Sequence, residues 1–238
     1  SVRKFADKPV QREVLDEILM AGVRASNTGN MQVYSMVVTT ERALLEQLAP
    51  CHFSQPASKA PVQITFCADV NRFHKWCEQR EATPGYDNFL WFVSATIDAM
   101  LAAENVALEA EAHGLGICFL GTAIYSAERI AGILELPKGV VPLITLVMGY
   151  PDGEVPMTDR LPLDGVIHRE KYHDYTPEDI DRIWAEREAS EETARLKEEN
   201  GLPNLARIFT ERRYKGEDNV AISRAFFEFV KKQGFFNQ

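Results

Sequence analysis

Polar and basic residues recur at the ends of apolar segments in this chain, and together they suit a large planar ligand with a phosphate tail. Arg3 and Arg160 carry guanidinium groups of the kind that clamp phosphate. Ser1 and Ser26 offer hydroxyls. Asn30, Gln32 and Gln55 offer amides that match the carbonyl and imide edge of a ring. Gly114-Leu115-Gly116 and Leu120-Gly121-Thr122 bracket a short apolar run, and glycine lets backbone approach a ligand closely. Each piece also has a structural reading: Ser26 as a cap, Gln32 as the partner of a buried backbone group, Gly114 as a helix stop.

Other chemistries lack their residues. There is no GxGxxG, no GxxxxGK[ST] and no GxSxG. His52, His74, His113, His168 and His173 do not pair with each other or with cysteine at metal-ligand spacing on a helix, so no metal site is expected. His168 reads as structural rather than as an acid or base. Asp69, with Asn71 and Arg72, reads as a strand end with a turn and an ion pair. The net charge of -9 argues against a nucleic-acid partner. No apolar run approaches the roughly 20 residues of a membrane span, and no charged leader precedes an apolar stretch. Cys51, Cys67, Cys77 and Cys118 form no CxxC pair, and Cys67 and Cys118 sit in apolar runs. A reduced, cytoplasmic setting is expected.

The elements that must position these groups alternate without a strict βαβ rhythm, which predicts an α+β fold in a chain long enough for one sizeable core. Residues 11–24 form an amphipathic helix on Val14, Leu15, Ile18 and Leu19, followed by a polar loop at Ser26–Asn30. Val33–Thr39 is a strand and 41–49 a short helix. Val62, Ile64 and Phe66 alternate with polar residues in a strand that Asp69 ends. Residues 94–113 are the clearest helix, apolar on more than one side and therefore expected to be central and buried, with Gly114 stopping it. Ile117–Leu120 is a strand, 126–135 a helix, and Val140–Met148 a strand buried on both faces. The chain is irregular over 151–175. A single charged helix is expected over 177–199, solvated or packed on a second chain, before an ending rich in phenylalanine.

The order of these pieces resembles the FMN-dependent nitroreductase family. Ser1-Val2-Arg3-Lys4-Phe5 is similar to its S-x-R-x-F opening, and Ser26 through Gln32 to its S-x-x-x-N-x-Q motif. Gly114 through Gly121 resembles its G-L-G-x-x-x-I-G strand, Val141 through Pro151 its last core strand, and Arg160-Leu161-Pro162 its R-L-P block. Cys67-Ala68-Asp69-Val70-Asn71-Arg72 and Phe229 through Phe235 are closest to the oxygen-insensitive NADPH nitroreductases and NADPH–flavin oxidoreductases.

The resemblance implies a mostly antiparallel central sheet flanked by helices, and an intertwined homodimer with two FMN sites at its interface. It implies that Ser1, Arg3 and Arg160 hold the phosphate and ribityl chain, that Ser26, Asn30, Gln32 and Gln55 contact the ring or ribityl, and that Phe119, Leu120, Gly121 and Thr122 run past the ring. Residues 1–175 would be the FMN-binding core, and 176–238 an extension packing on the partner subunit. The activity implied is ping-pong, two-electron transfer from NADPH or NADH to nitroaromatics, quinones or free flavin, with no catalytic side chain. The rival readings are a flavin-binding carrier or sensor, and an assembly protein with a degenerate site. The sequence departs from the family at Thr158, where lysine is common, and at Val33-Tyr34, which replace a proline–tryptophan pair. Arg207, Arg212, Arg213 and Lys215 are candidates for the NADPH phosphate in that subfamily.

Overall fold

A computed structural model describes residues 1–85 and 87–237. Two compact units are formed, one from residues 1–155 with 223–238 and the other from residues 156–222. The first unit contains the sheet: β1 (Tyr34–Thr39), β2 (Val62–Asp69), β3 (Gly116–Leu120) and β4 (Val140–Gly149), in the order β1-β2-β4-β3 with each neighbouring pair antiparallel. Its helices are α1 (Arg12–Val23), α2 (Arg42–Leu48), α3 (Asn71–Gln79), α4 (Phe89–Ala112) and α5 (Ala127–Ile133). The second unit holds α6 (Pro177–Glu188), α7 (Glu191–Asn200) and α8 (Leu205–Ile208), and α9 (Gly216–Lys232) begins there.

The α+β expectation and the antiparallel sheet are met. On one sheet face Ile64, Phe66, Ala68, Leu146 and Met148 join the main core with α1 and α4. The polar residues that alternate with them in β2 do not face water. Gln63 and Thr65 are buried, Thr65 Oγ1 lies 3.3 Å from Thr145 Oγ1, and Gln63 Nε2 donates to the Ser58 carbonyl at 2.9 Å. Both faces of the sheet are therefore covered.

Helix α4 sits centrally, as expected, but it is not buried all round. Its inner face is Ala95, Ala99, Ala102, Ala103, Val106 and Ala110, each fully buried. Small side chains here let the helix axis approach the strands closely. On the opposite side Leu90, Ile97, Leu101 and Leu108 share one helical stripe, and they remain open to solvent, Leu90 at 62% and Leu108 at 58%. The helix begins at Phe89, five residues earlier than its composition suggests, because Asn88 Oδ1 accepts the Trp91 N–H and caps it. By length and composition α4 would reach across a membrane, yet its alanine face is spent on the sheet.

Three differences from the sequence reading have local causes. Residues 71–79 form α3, because the Asp69 carboxylate accepts the N–H groups of Asn71 (2.9 Å) and Arg72 (3.4 Å) at its first turn. The charged stretch 177–199 is two helices. Thr176 and Asp179 make a capping box on α6, and Ser190 starts α7 afresh by accepting the Thr193 N–H at 3.1 Å. Part of the aromatic ending packs on the chain itself, while Phe227 stays exposed. Phe229, Val230 and Phe235 are buried in the chain's own core, Phe235 lies 5.2 Å from Phe92, and Phe236 stacks on Phe89 at 5.4 Å.

Two glycines tie the opening segment to this framework. Gly114 takes φ +76 and reverses the chain out of α4. Gly116 then opens β3 directly beneath Val2, whose N–H donates to the Ile117 carbonyl at 2.7 Å. A Cβ on Gly116 would stand 2.4 Å from Val2 Cγ2. Gly116→Ala is expected to cost about 1–3 kcal/mol by overpacking, and Gly116→Ala with Val2→Ala to recover most of it. Gly132→Ala, inside α5 where an added Cβ meets nothing within 4 Å, is the unclashed comparison and is expected to stabilise by about 0.5–1 kcal/mol; urea unfolding midpoints decide the comparison.

Candidate functional site

The opening segment is held at one corner of the sheet. Val2 bonds to Ile117, the Ala6 N–H donates to the Tyr150 carbonyl at 2.9 Å, and the Asp152 N–H donates to the Lys4 carbonyl at 3.1 Å. Val2 is the buried residue here, which turns its neighbours Ser1 and Arg3 outward into solvent. Arg3 makes no ion pair among the described residues. Strand β3 runs from this corner to Leu120, which is buried, and to Gly121, which is exposed. A Cβ built on Gly121 would meet no atom within 4 Å. The chain then enters a 3-10 turn, Gly121–Ser126.

Segment 49–59 braces that turn. Ser126 Oγ donates to the Cys51 carbonyl at 2.9 Å, and His52 Nδ1 lies 2.9 Å from Thr122 Oγ1. His52 is fully buried, and among the described residues its Nε2 has no hydrogen-bond partner. Burial holds the imidazole's pKa down, from 6.5 to about 4. Phe53 (φ +56) and Ser54 (φ +48) follow in the left-handed region and deliver half-buried Gln55. Gln55 uses its carbonyl to accept Ser58 Oγ at 2.7 Å.

Loop 26–32 stands elsewhere, clamped by buried Asp98, half-buried Asn27 and exposed Arg72. Asp98, on α4 and only 1% exposed, accepts the Thr28 N–H at 2.9 and 3.1 Å and the Thr28 hydroxyl at 2.9 Å. Asn27 Oδ1 accepts the Gln32 N–H at 3.2 Å. Arg72 donates to the carbonyls of Gln32 and Tyr34, and its own position is fixed by Asp69. These ties keep Gly29 (φ +57), Asn30 (φ +55) and Gln32 (φ +48) left-handed, at a cost of about 1–2 kcal/mol for each side-chain-bearing residue. Ser26, Asn30 and Gln32 share one loop, with the Gln32 amide donating to Asn30 Oδ1 at 3.2 Å on the exposed side.

The expected ligand residues thus fall into two groups within the first unit. Loop 26–32 leads into Tyr34, which pairs with Ala68 and through it with Val141. Ser1 and Arg3 lie by Gly116, which pairs with Gly149. Strands β1 and β3 are opposite edges of the sheet. The two groups therefore occupy diagonally opposite corners, separated by about 25 Å along the strands and about 14 Å across them. Phe119, Leu120, Gly121 and Thr122 lie along the β3 edge that starts at the Ser1 and Arg3 corner, with Leu120 paired to Thr145, about 13 Å along the strand from Gly116, and Gln55 lies in the segment that braces the turn after that strand.

Arg160 lies in the second unit. Its guanidinium folds back locally, donating to Thr158 Oγ1 at 2.7 Å and to the Asp159 carbonyl at 2.8 Å. In the same unit His168 is structural. Nδ1 accepts the His173 N–H at 3.3 Å, Nε2 lies 3.1 Å from Tyr175 Oη, and Tyr175 Oη donates to the Gly165 carbonyl at 2.9 Å. That circuit assigns the His168 proton to Nε2. Arg207 pairs with Glu211, and Arg213 lies over the Phe209 ring. All four cysteines are buried and free, and burial pushes the Cys67 thiol far up, so none is a ready nucleophile.

The depressed His52 pKa has a measurable consequence. Between pH 6.5 and 4 the unfolded chain takes up a proton on this residue that the native state refuses, so native stability falls as the pH falls across that window. The slope from this group is about 1.4 kcal/mol per unit in the middle of the window. His52→Asn is expected to flatten the stability–pH curve there relative to the parent, which urea midpoints at pH 7, 5.5 and 4.5 would show.

Residues 1–150 match the family model described as the nitroreductase family. A protein of Staphylococcus aureus (strain USA300) described as an NADPH-dependent oxidoreductase is 33% identical over 177 residues, 73% of this chain and 70% of its own. The structure is similar to that of a candidate oxidoreductase of Bacteroides fragilis NCTC 9343, with TM-score 0.97 and 43% identity over 100% of this chain and 97% of that one. It is also similar to the NfrA1 nitroreductase of B. subtilis, with TM-score 0.80 and 25% identity over 100% and 96%. A family match over most of the length and a fold shared from end to end show that the chain belongs to the nitroreductase family.

Proposed function

We propose that this chain is an NAD(P)H-dependent oxidoreductase that carries FMN. The observation that carries the reading is the end of β3: buried Leu120 gives way to Gly121, beside which there is open space, on the strand that also anchors unpaired Arg3. An anionic tail and a flat ring suit that combination. Arg3 would hold the phosphate, and Ser1 the phosphate or ribityl chain. By the family resemblance Arg160 is a further phosphate candidate, and Thr158 stands where lysine is common. Gln55 and the Phe119–Thr122 backbone would lie along the ring. What FMN supplies when bound is two-electron, ping-pong chemistry between NADPH or NADH and a flat, electron-poor acceptor such as a nitroaromatic, a quinone or free flavin. The residues of this chain orient the ring, supply donors to its polar edge and exclude bulk water; no side chain acts as nucleophile or base.

The complete site is proposed to need a homodimer. Ser26, Asn30 and Gln32 sit too far from Arg3 in one chain for one mononucleotide to reach both corners. The exposed stripe Leu90, Ile97, Leu101 and Leu108 is an apolar surface of the kind that marks a subunit contact. A second copy docked there would bring its loop 26–32 to the first copy's β3 corner. The charged helices α6 and α7 are proposed as further contacts with that copy.

Anaerobic addition of NADPH to purified, FMN-loaded protein is expected to bleach the flavin absorbance, and a quinone or nitrofuran to restore it. A bound flavin that neither NADPH nor NADH bleaches would instead make the protein a carrier. For the shared site, Arg3→Ala and Gln32→Ala chains should each bind FMN poorly. Their co-expressed mixed dimer should regain one intact site, because both defects fall in the other one. Flavin content after dual-tag purification measures this, and no recovery would place each site within a single chain.

A further inference from the structure

The 3-10 turn after β3 contains a hydroxyl whose hydrogen-bond direction the structure constrains. Thr122 Oγ1 lies 2.9 Å from His52 Nδ1, and no other described side chain or backbone group bonds to it. His52 is fully buried, and its Nε2 faces no hydrogen-bond partner among the described residues. Two arrangements satisfy the 2.9 Å contact. With the proton on Nε2, Nδ1 would accept from the threonine and a ring N–H would be left buried with nothing to receive it. With the proton on Nδ1, that N–H donates to Thr122 Oγ1 and only a bare ring lone pair is left over. An orphaned buried N–H is the rarer and costlier of the two. Burial holds the ring's pKa down to about 4, so near pH 7 it carries one proton and not both.

We infer that His52 is a positioning residue: by donating from Nδ1 it occupies a lone pair of Thr122 Oγ1 and turns the Thr122 proton outward, as a hydrogen-bond donor to the polar edge of the bound flavin. The assignment rests on the flavin reading given above and deepens it. The outward direction is toward half-exposed Thr122's open side, next to Gly121 and the empty space beside it. Rigidity comes from both ends of the contact. Cys51 and Ala123, the chain neighbours of His52 and Thr122, belong to a buried cluster with Leu48 and Ile130, and Ser126 Oγ bonds the Cys51 carbonyl at 2.9 Å. The ring is therefore held by packing, and the hydroxyl is aligned before a ligand arrives. Such a preorganised donor favours the electron-rich, reduced form of the flavin over the oxidised form.

Two measurements test the inference. The first needs no flavin. Long-range nitrogen–proton correlation spectra of the histidine-labelled protein should show His52 as the Nδ1–H tautomer, and an Nε2–H tautomer overturns the assignment. The second uses the FMN-loaded protein and reads the flavin midpoint potential together with FMN affinity. Thr122→Val and His52→Phe should each lower the ratio of reduced-state to oxidised-state affinity by about fivefold, the size of one ordinary hydrogen bond. The double variant should do no worse than either alone. His52→Asn, whose amide nitrogen can stand where Nδ1 stands, should restore the parent potential. Loss of folding in His52→Phe leaves Thr122→Val and His52→Asn to decide the matter. Flavin that binds with a potential indifferent to Thr122→Val overturns the inference while leaving the functional reading intact. A chain that takes up no FMN overturns both.

Discussion

Burial of the alanine face of α4 against the sheet is the contact on which the rest of the molecule depends. The helix supplies Asp98 to hold loop 26–32, and Asn105, whose Nδ2 donates to the Ala21 carbonyl at 3.2 Å, to hold the end of α1. Its exit at Gly114 sets where β3 begins, and β3 in turn receives Val2 and carries Gly121. Its entry packs Phe89 and Phe92 on Phe236 and Phe235. A shift of α4 along its axis would move both corners of the candidate site together. The same helix also presents an apolar stripe outward, so one element fixes the internal geometry and carries an exposed apolar surface.

Most of the first unit was legible in the sequence because its elements obey simple periodicities. The strands and α1 carry clean apolar patterns, and the glycines fall where backbone must reverse or approach closely. The failures share a cause. Helix α3 is polar by composition, and its start depends on Asp69, a residue of the preceding strand whose carboxylate reaches forward only once β2 and the turn exist. The break between α6 and α7 rests on one serine, and Ser190 among charged residues looks like any helix-surface position until its side chain is seen to cap. The second apolar face of α4 was visible as composition. Composition alone does not say whether such a face meets the chain's own core or another copy.

The site was legible in a different sense. The order of its motifs pointed to the stretches of chain proposed to hold the cofactor, while their placement in space was not written in any one of them. Ser26 through Gln32 and Ser1 through Arg3 read as parts of one site, yet they stand at opposite corners of the sheet. That becomes visible only when strand order is known, since β1 and β3 are far apart in the sheet without being far apart in pattern. Asp98 and His52 carried no signal. Each is a lone polar residue in an apolar context, and what distinguishes them is the partner they find across a separation of 70 residues. Asp69 and Arg72 read as a turn with an ion pair, which is what they form, but that pair also fixes the carbonyls at the end of loop 26–32.

Backbone strain sharpens this division of labour. Asn30, Gln32, Phe53 and Ser54 are among the few residues other than glycine with positive φ, and all four fall in the two turns that carry expected ligand residues. A turn of this kind releases N–H groups and side chains from the sheet's own hydrogen bonding, at a cost that something nearby must offset. The anchors found here do so from within the protein: buried Asp98 with Asn27 and Arg72 for the first turn, and the ties from His52 and Cys51 to Thr122 and Ser126 for the second. None of those anchors needs to touch a ligand. Their value lies in being satisfied within the protein, so that the exposed groups they support are held in place and left free to bond outward. A ligand-contacting motif can therefore vary at its tip while the buried anchor behind it remains necessary, and the residues that determine the site's precision are found one layer beneath the residues that would contact the cofactor.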